Sequence, residues 1–180
     1  MEINFKVFTE DTIGLLLDIV EKTVRYTSDH PSHTERDLLQ HSLQTYLWAL
    51  REAGNDTDLI LAALVHDIGK LEDPLGHDKI GEEMIKDFVS VKTCWLVKNH
   101  MRFWHLIEGG MKRLKKVTEL LEHPWLSDLV ALGRWDKMAR RPNTNLVFSR
   151  QAIFDRLNQC VEQHFEKNKI RSEKHIKKNN

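Results

Sequence analysis

His66 and Asp67 stand at the end of the most apolar stretch of the chain, LILAALVHDIGK, which runs from Leu59 to Lys70. Seven apolar residues, Leu59 to Val65, lead straight into the pair. A helix that is apolar on nearly every side belongs in a protein interior. An imidazole and a carboxylate at its end are costly to bury unless something binds them. A metal ion is the fitting guest, because both side chains are common ligands. Successive helical residues point about 100° apart, so one ion on the flank between them reaches both. Gly69 offers this helix an end. Lys70 sets a cation beside the expected ion, where a phosphate group would meet it.

The elements around this stretch are legible as helices. Ile13, Leu16, Leu17, Val20 and Val24 recur at helical spacing over 12–26. After the polar break SDHPSH, Thr34 and Asp37 have the form of a capping box, and a helix is expected over 35–53. Leu39, Leu43, Tyr46, Leu47 and Leu50 make its apolar stripe, and His41, Thr45 and Trp48 a second line. Arg36, Gln40, Gln44 and Arg51 are left as its polar cover. Asp56 or Thr57 caps the helix that ends at His66-Asp67. His77 opens a helix over about 78–88, and a further helix over 91–104 carries His100. Gly109-Gly110 breaks the chain before a basic amphipathic helix over 111–121. Pro124 starts a helix over 125–140 that carries Asp128 and Asp136, and 148–165 is the last amphipathic helix. No stretch reads as a strand. The expectation is an all-α, single compact helical bundle over 1–165, followed by a basic, flexible tail over 166–180.

Composition narrows the function. The 180 residues suffice for one domain with a substantial core. Lysine and arginine number 27, as do aspartate and glutamate, so bulk charge argues for neither nucleic acid nor membrane binding. The tail carries six basic and two acidic residues and reads as a solvated end rather than a nucleic-acid arm. No apolar run is long enough to span a bilayer. Cys94 and Cys160 fit no zinc motif or disulfide framework and read as small core residues. With no signal peptide in MEINFKVFTED, a reducing, cytoplasmic setting is expected. The five tryptophans, at helical spacing, read as core rather than as stacking platforms, with Trp104 singled out one turn after His100.

The order His41, His66-Asp67, His77, His100, Asp136 resembles the HD-domain superfamily of metal-dependent phosphohydrolases. The motifs are LLQHSLQT, ALVHDIGK and LGRWDKMA, and the likeness covers roughly 35–140. It resembles most the HD regions of tRNA nucleotidyltransferases and poly(A) polymerases. In those, HDIGK is followed by a Gly-His pair and a His-Met-Arg, as in Gly76-His77 and His100-Met101-Arg102. No nucleotidyltransferase head accompanies these motifs, so polymerase activity is not implied.

The resemblance implies one ion on His41, His66, Asp67 and Asp136, and a second on His77 and His100 with Asp67 bridging. Asp136 matches the family's spacing, while Asp128, about two turns earlier, stays open as the alternative. Imidazole and carboxylate donors suit Mn, Fe, Co, Ni or Zn. A bound ion lowers the pKa of its water to about 7 and so provides hydroxide at neutral pH. The expected reaction is hydrolysis of a phosphate mono- or diester, with a small phosphorylated substrate of nucleotide type. Asp67 and Lys70 are the expected catalytic residues, Lys70 neutralising developing charge. Lys70, Arg102, Lys137 and Arg140 are the substrate-binding candidates, with Arg134 and Arg141 as further phosphate contacts. A second reading follows from the same ligand order, which also holds di-iron centres in inositol and organophosphonate oxygenases. The tyrosine that some of these place ahead of the first histidine is absent from SDHPSHTERD. His30 and His33 read as loop residues ahead of His41.

Overall fold

The computed structural model of the chain describes residues 10–27, 37–142 and 144–160. The helices are α1 (Glu10–Lys22), α2 (Leu38–Glu52), α3 (Thr57–Val65), α4 (His77–Ile85), α5 (Val91–Ile107), α6 (Leu114–Leu121), α7 (Leu126–Met138) and α8 (150–160). Short 3-10 turns occupy Thr23–Arg25 and Ile68–Leu71. Among the described residues the only β-type pairing is an isolated antiparallel bridge between Thr27 and Asp37. The all-α expectation therefore holds for the described residues. His30, His33, Thr34 and the tail over 166–180 lie outside them.

α3 is the axis of the bundle. Every residue from Leu59 to Val65 is buried. α2, α5 and α7 all pack against it, which covers every face that a uniformly apolar helix must hide. Truncating one of these leucines to alanine costs about 2–5 kcal/mol, so this helix sets the stability of the core. α4 docks on α5 and on the 3-10 turn after α3. α8 closes the bundle at α1. Arg150 donates to the Gly14 carbonyl at 2.8 Å and pairs with Asp18 at 2.7 Å.

Most helix ends shift by a few residues from the sequence reading, α6 for example beginning at Leu114 rather than at 111, and local chemistry explains the corrections at α2, at Gln40 and Gln44, and at Gly69. α2 begins at Leu38, not at 35, because Asp37 is itself the N-cap. Its carboxylate accepts from the Gln40 N–H at 3.0 Å, and its extended backbone forms the bridge to Thr27. Gln40 and Gln44 are not solvent cover. The Gln40 amide donates to the Leu146 carbonyl at 2.8 Å and accepts from its N–H at 2.9 Å. The Gln44 amide does the same for Arg141, at 3.1 and 3.2 Å. Two glutamines one turn apart thus replace a strand neighbour for the segment after α7. Gly69 is not a left-handed helix cap. It lies in the 3-10 turn, where an added Cβ would sit 2.1 Å from the His77 carbonyl oxygen and 2.6 Å from the Gly81 nitrogen. Its role is close approach, letting α4 ride directly on the His66–Lys70 segment.

Of the tryptophans, only Trp135 is fully buried; Trp48, Trp95, Trp104 and Trp125 are half-buried. Cys160 is in the core, whereas Cys94 is half-buried, and both are free thiols.

Candidate metal centre

Five elements deliver six donors to one point. His41 comes from the first turn of α2, His66 and Asp67 from just past α3, and His77 is the first residue of α4. His100 comes from α5 and Asp136 from α7. None of the six is more than 6 % exposed. Gly76 lets the chain turn sharply into α4, with φ of 81° in the left-handed region that favours glycine, and so aims His77 inward.

The donors sort into two groups. His41, His66 and Asp136 form one, and Asp67, His77 and His100 the other. In the first, His41 Nε2 lies 3.2 Å from His66 Nε2 and 3.2 Å from Asp136 Oδ1. In the second, His77 Nε2 lies 3.1 Å from both His100 Nε2 and Asp67 Oδ1. Asp67 joins them. Its Oδ1 is 3.4 Å from His100 Nε2, while its Oδ2 is 3.6 Å from the Nε2 atoms of both His41 and His66. One carboxylate thus faces two histidine pairs, one with each oxygen.

The tautomers follow from backbone contacts. His66 Nδ1 is 3.1 Å from the Ala63 carbonyl, His77 Nδ1 2.8 Å from that of Pro74, and His100 Nδ1 2.6 Å from that of Val97. A carbonyl only accepts, so each Nδ1 carries the hydrogen and each Nε2 turns a lone pair inward. Lone pairs facing each other at this range repel unless a cation lies among them. Two donors bound about 2.0–2.2 Å from one ion are themselves about 3.0–3.4 Å apart, close to the spacings here. The donor set therefore fits one or two divalent cations.

Electrostatics point the same way. Burial presses the His66 imidazole down to a pKa of about 3, against the pull of Asp67 and Asp136. His77 moves up despite its burial, because Asp67 accepts from its protonated form and adds charge attraction. Burial would raise both acids, yet both are held below the usual carboxylate range. Lys70 and His66 do this for Asp67, and His41 does it for Asp136. The centre keeps its carboxylates ionised and one of its histidines neutral, as metal ligation requires.

The remaining candidates scatter. Lys70 Nζ is 2.5 Å from Asp67 Oδ2, at the rim of the donors. Arg140 reaches Asp136 Oδ1 at 3.2 Å and lies over the Trp104 ring, 5.3 Å from its centroid. Lys137 is exposed. Arg102 turns away from the centre, donating to Asn99 at 2.8 Å and to the Lys116 carbonyl at 3.0 Å. It lines a cleft of about 1130 Å³ with Trp95, Lys98, Met101 and His105, and His77 of the second donor group borders the same cleft. Arg134 is paired with Glu52, and Arg141 is stacked over Trp48. Asp128 lies outside both donor groups: its carboxylate pairs with Lys92 at 2.7 Å, and Lys92 also holds Asp56 at 2.7 Å. One contact escaped the sequence reading. The Trp104 indole donates to Asp136 Oδ2 at 2.7 Å, and its only sequence signal was a position one turn past His100.

The HD domain family matches residues 38–141, more than half of the chain. The protein belongs to the HD domain family and thereby to the superfamily of metal-dependent phosphohydrolases. No curated protein matches the chain. Among the described residues no helix is long and apolar enough to cross a membrane.

Proposed function

We propose that this protein hydrolyses a phosphate mono- or diester of a nucleotide, with two divalent ions held by the six donors. The observation that carries the reading is the split of Asp67 between two histidine pairs, Oδ1 to His77 and His100 and Oδ2 to His41 and His66. A carboxylate so shared is suited to bridging two ions, and two-metal sites suit in-line displacement at phosphorus. His41, His66 and Asp136 would complete one ion's ligands, and His77 and His100 the other's. The donor chemistry suits Mn, Fe, Co, Ni or Zn. Bound there, such ions activate water as a nucleophile and draw charge from the phosphoryl oxygens.

The chain's own residues do the rest. His66, His77 and His100 are fixed by their Nδ1–H bonds to Ala63, Pro74 and Val97, so their lone pairs stay aimed without reorganisation. Lys70 anchors Asp67 Oδ2 and sets its positive charge at the rim, where a phosphoryl oxygen would meet it. Arg140, beside Asp136, is the second cation for the substrate, with Lys137 on the surface next to it. Arg102, bonded to Asn99 and to the Lys116 carbonyl, lines the cleft that His77 also borders and is the outermost of the substrate-binding candidates. The nucleotide preference rests on the likeness of HDIGK, Gly76-His77 and His100-Met101-Arg102 to the HD regions of tRNA nucleotidyltransferases. The two free cysteines fit a cytoplasmic setting.

Elemental analysis of protein purified without chelator, followed by a panel of phosphate esters with each metal, tests this reading. About two ions per chain and metal-dependent release of phosphate or alcohol are expected. Metal-loaded protein inert across the panel, with iron content and oxygen uptake on inositol or an organophosphonate, would replace it with a di-iron oxygenase.

A further inference from the structure

We infer that Trp104 is a positioning residue for the first ion: its indole N–H ties down Asp136 Oδ2, so that the carboxylate offers Oδ1 alone. The inference rests on the metal reading above and adds to it a residue outside the donor set. Asp136 is 5 % exposed, and its two oxygens have separate tasks. Oδ1 faces His41 Nε2 at 3.2 Å and so belongs to the donor group. Oδ2 accepts from Trp104 Nε1 at 2.7 Å, a short bond to a charged acceptor. A carboxylate left to itself can swing or bind through both oxygens; one oxygen held by a rigid ring cannot. The indole is an apt holder, since it donates only and has no lone pair to compete for the ion.

The holder is itself held. Arg140 lies over the ring, 5.3 Å from its centroid, and its guanidinium reaches Asp136 Oδ1 at 3.2 Å. Oδ1 has two lone-pair directions, and these contacts use one for His41's side and one for Arg140. The geometry also explains the packing of α5 on α7. A Cβ on Gly133 would meet the Phe103 ring at 2.2 Å, so a bare glycine there lets the helix carrying Trp104 come close enough to touch Asp136. The indole has a single hydrogen, and it goes to Asp136 of the first donor group rather than to Asp67, His77 or His100 of the second.

The effect should therefore fall on one site. Groups that orient a ligand are typically worth 10- to 100-fold in metal affinity. Metal-free protein is titrated with Co²⁺ in a His77→Ala background, where only the His41, His66 and Asp136 ion is expected, and binding is followed by visible absorption. Trp104→Phe keeps a ring under Arg140 but loses the N–H, and should weaken this ion 10- to 100-fold. Trp104→Gln, which restores an N–H donor, should recover part of that loss. Without the His77 change, the second ion should bind Trp104→Phe as it binds the wild type. Unchanged affinity in Trp104→Phe, equal losses in the Phe and Gln variants, or equal losses at both sites would each overturn the inference. Wild-type protein that takes up no ion would overturn the metal reading itself, a distinct result. Should Trp104→Phe fail to fold, the wild-type indole N–H signal of Trp104 decides by NMR. A shift with the first equivalent of Zn²⁺ supports the assignment, and an unmoved signal overturns it.

Discussion

His77 and His100 point Nε2 at Nε2 across 3.1 Å, and neither nitrogen has a hydrogen for the other. Both rings have spent their hydrogen on a backbone carbonyl, Pro74 for His77 and Val97 for His100. Two lone pairs so placed need a positive charge between them, a proton or a metal ion. The upward shift of the His77 pKa is the proton's answer in metal-free protein, with Asp67 as partner. A divalent ion supplies more charge at the same place, so loading at neutral pH should displace protons.

Substitution should remove ions one at a time. His66→Ala should abolish the ion on His41, His66 and Asp136, and His100→Ala the ion on His77, each leaving about one per chain. Asp67→Ala removes the ligand facing both pairs and should cost both ions. Elemental analysis of the purified variants checks this. Asp67→Ala with two retained ions would show that the carboxylate does not bridge.

Chelation should destabilise the fold. An ion present at 100 times its dissociation constant contributes about 2.7 kcal/mol. For a chain of this size that is worth about 5–10 °C in melting temperature. Calorimetry with and without chelator measures it, and equal melting temperatures would count against bound metal.

Metal-free protein should weaken in acid. Unfolded, His66 titrates near its ordinary value of 6.5; folded, burial holds it down to about 3. Between those values the unfolded chain binds the extra proton, so stability falls as pH falls, from full above 6.5 to lost near 3. His77 works in the opposite sense, since its raised value adds stability as pH drops through it. The His66 part of the loss from pH 7 to pH 5 should be on the order of 2 kcal/mol, partly offset by His77. Urea unfolding of chelated protein at the two pH values gives the slope, which His66→Gln should flatten.

Gly69→Ala should be worse than Gly133→Ala. At Gly69 the new methyl meets backbone, the His77 carbonyl at 2.1 Å, and α4 must move off the 3-10 turn. At Gly133 it meets the Phe103 ring, a side chain that can turn aside. Overpacking costs about 1–3 kcal/mol, and Gly69→Ala should sit at or above the top of that range. It should also loosen the second ion, since His77 moves with α4. Denaturant unfolding and metal titration of the two variants rank them.

Asp128→Asn is the control. Its carboxylate pairs with Lys92 at 2.7 Å, with Asp56 as the other partner at 2.7 Å. Losing one of two partly exposed partners should cost about 0.5–1 kcal/mol and leave the ion count unchanged. Loss of an ion in this variant would return Asp128 to the ligand set.

The helices were legible in the chain because their causes are local. The apolar run of α3, the stripe of α2 and the cap at Asp56 act within a turn or two, and sequence order preserves them. The HD motifs likewise marked all six donors by order and company. What needed the tertiary structure was direction. Eight residues at 100° each leave Asp128 and Asp136 about 80° apart on α7, enough to send one to Lys92 and the other to His41. Arg102 is two residues past His100 and hence about 200° around α5, facing the opposite side. Gln40 and Gln44, polar on paper, found backbone partners 106 and 97 residues away. Period and capping tell which residues form a helix, but only the packing of helices against one another sets the rotation of each. That rotation decides whether a carboxylate binds a lysine or faces a metal site, and whether a tryptophan fills a core or holds Asp136 in place.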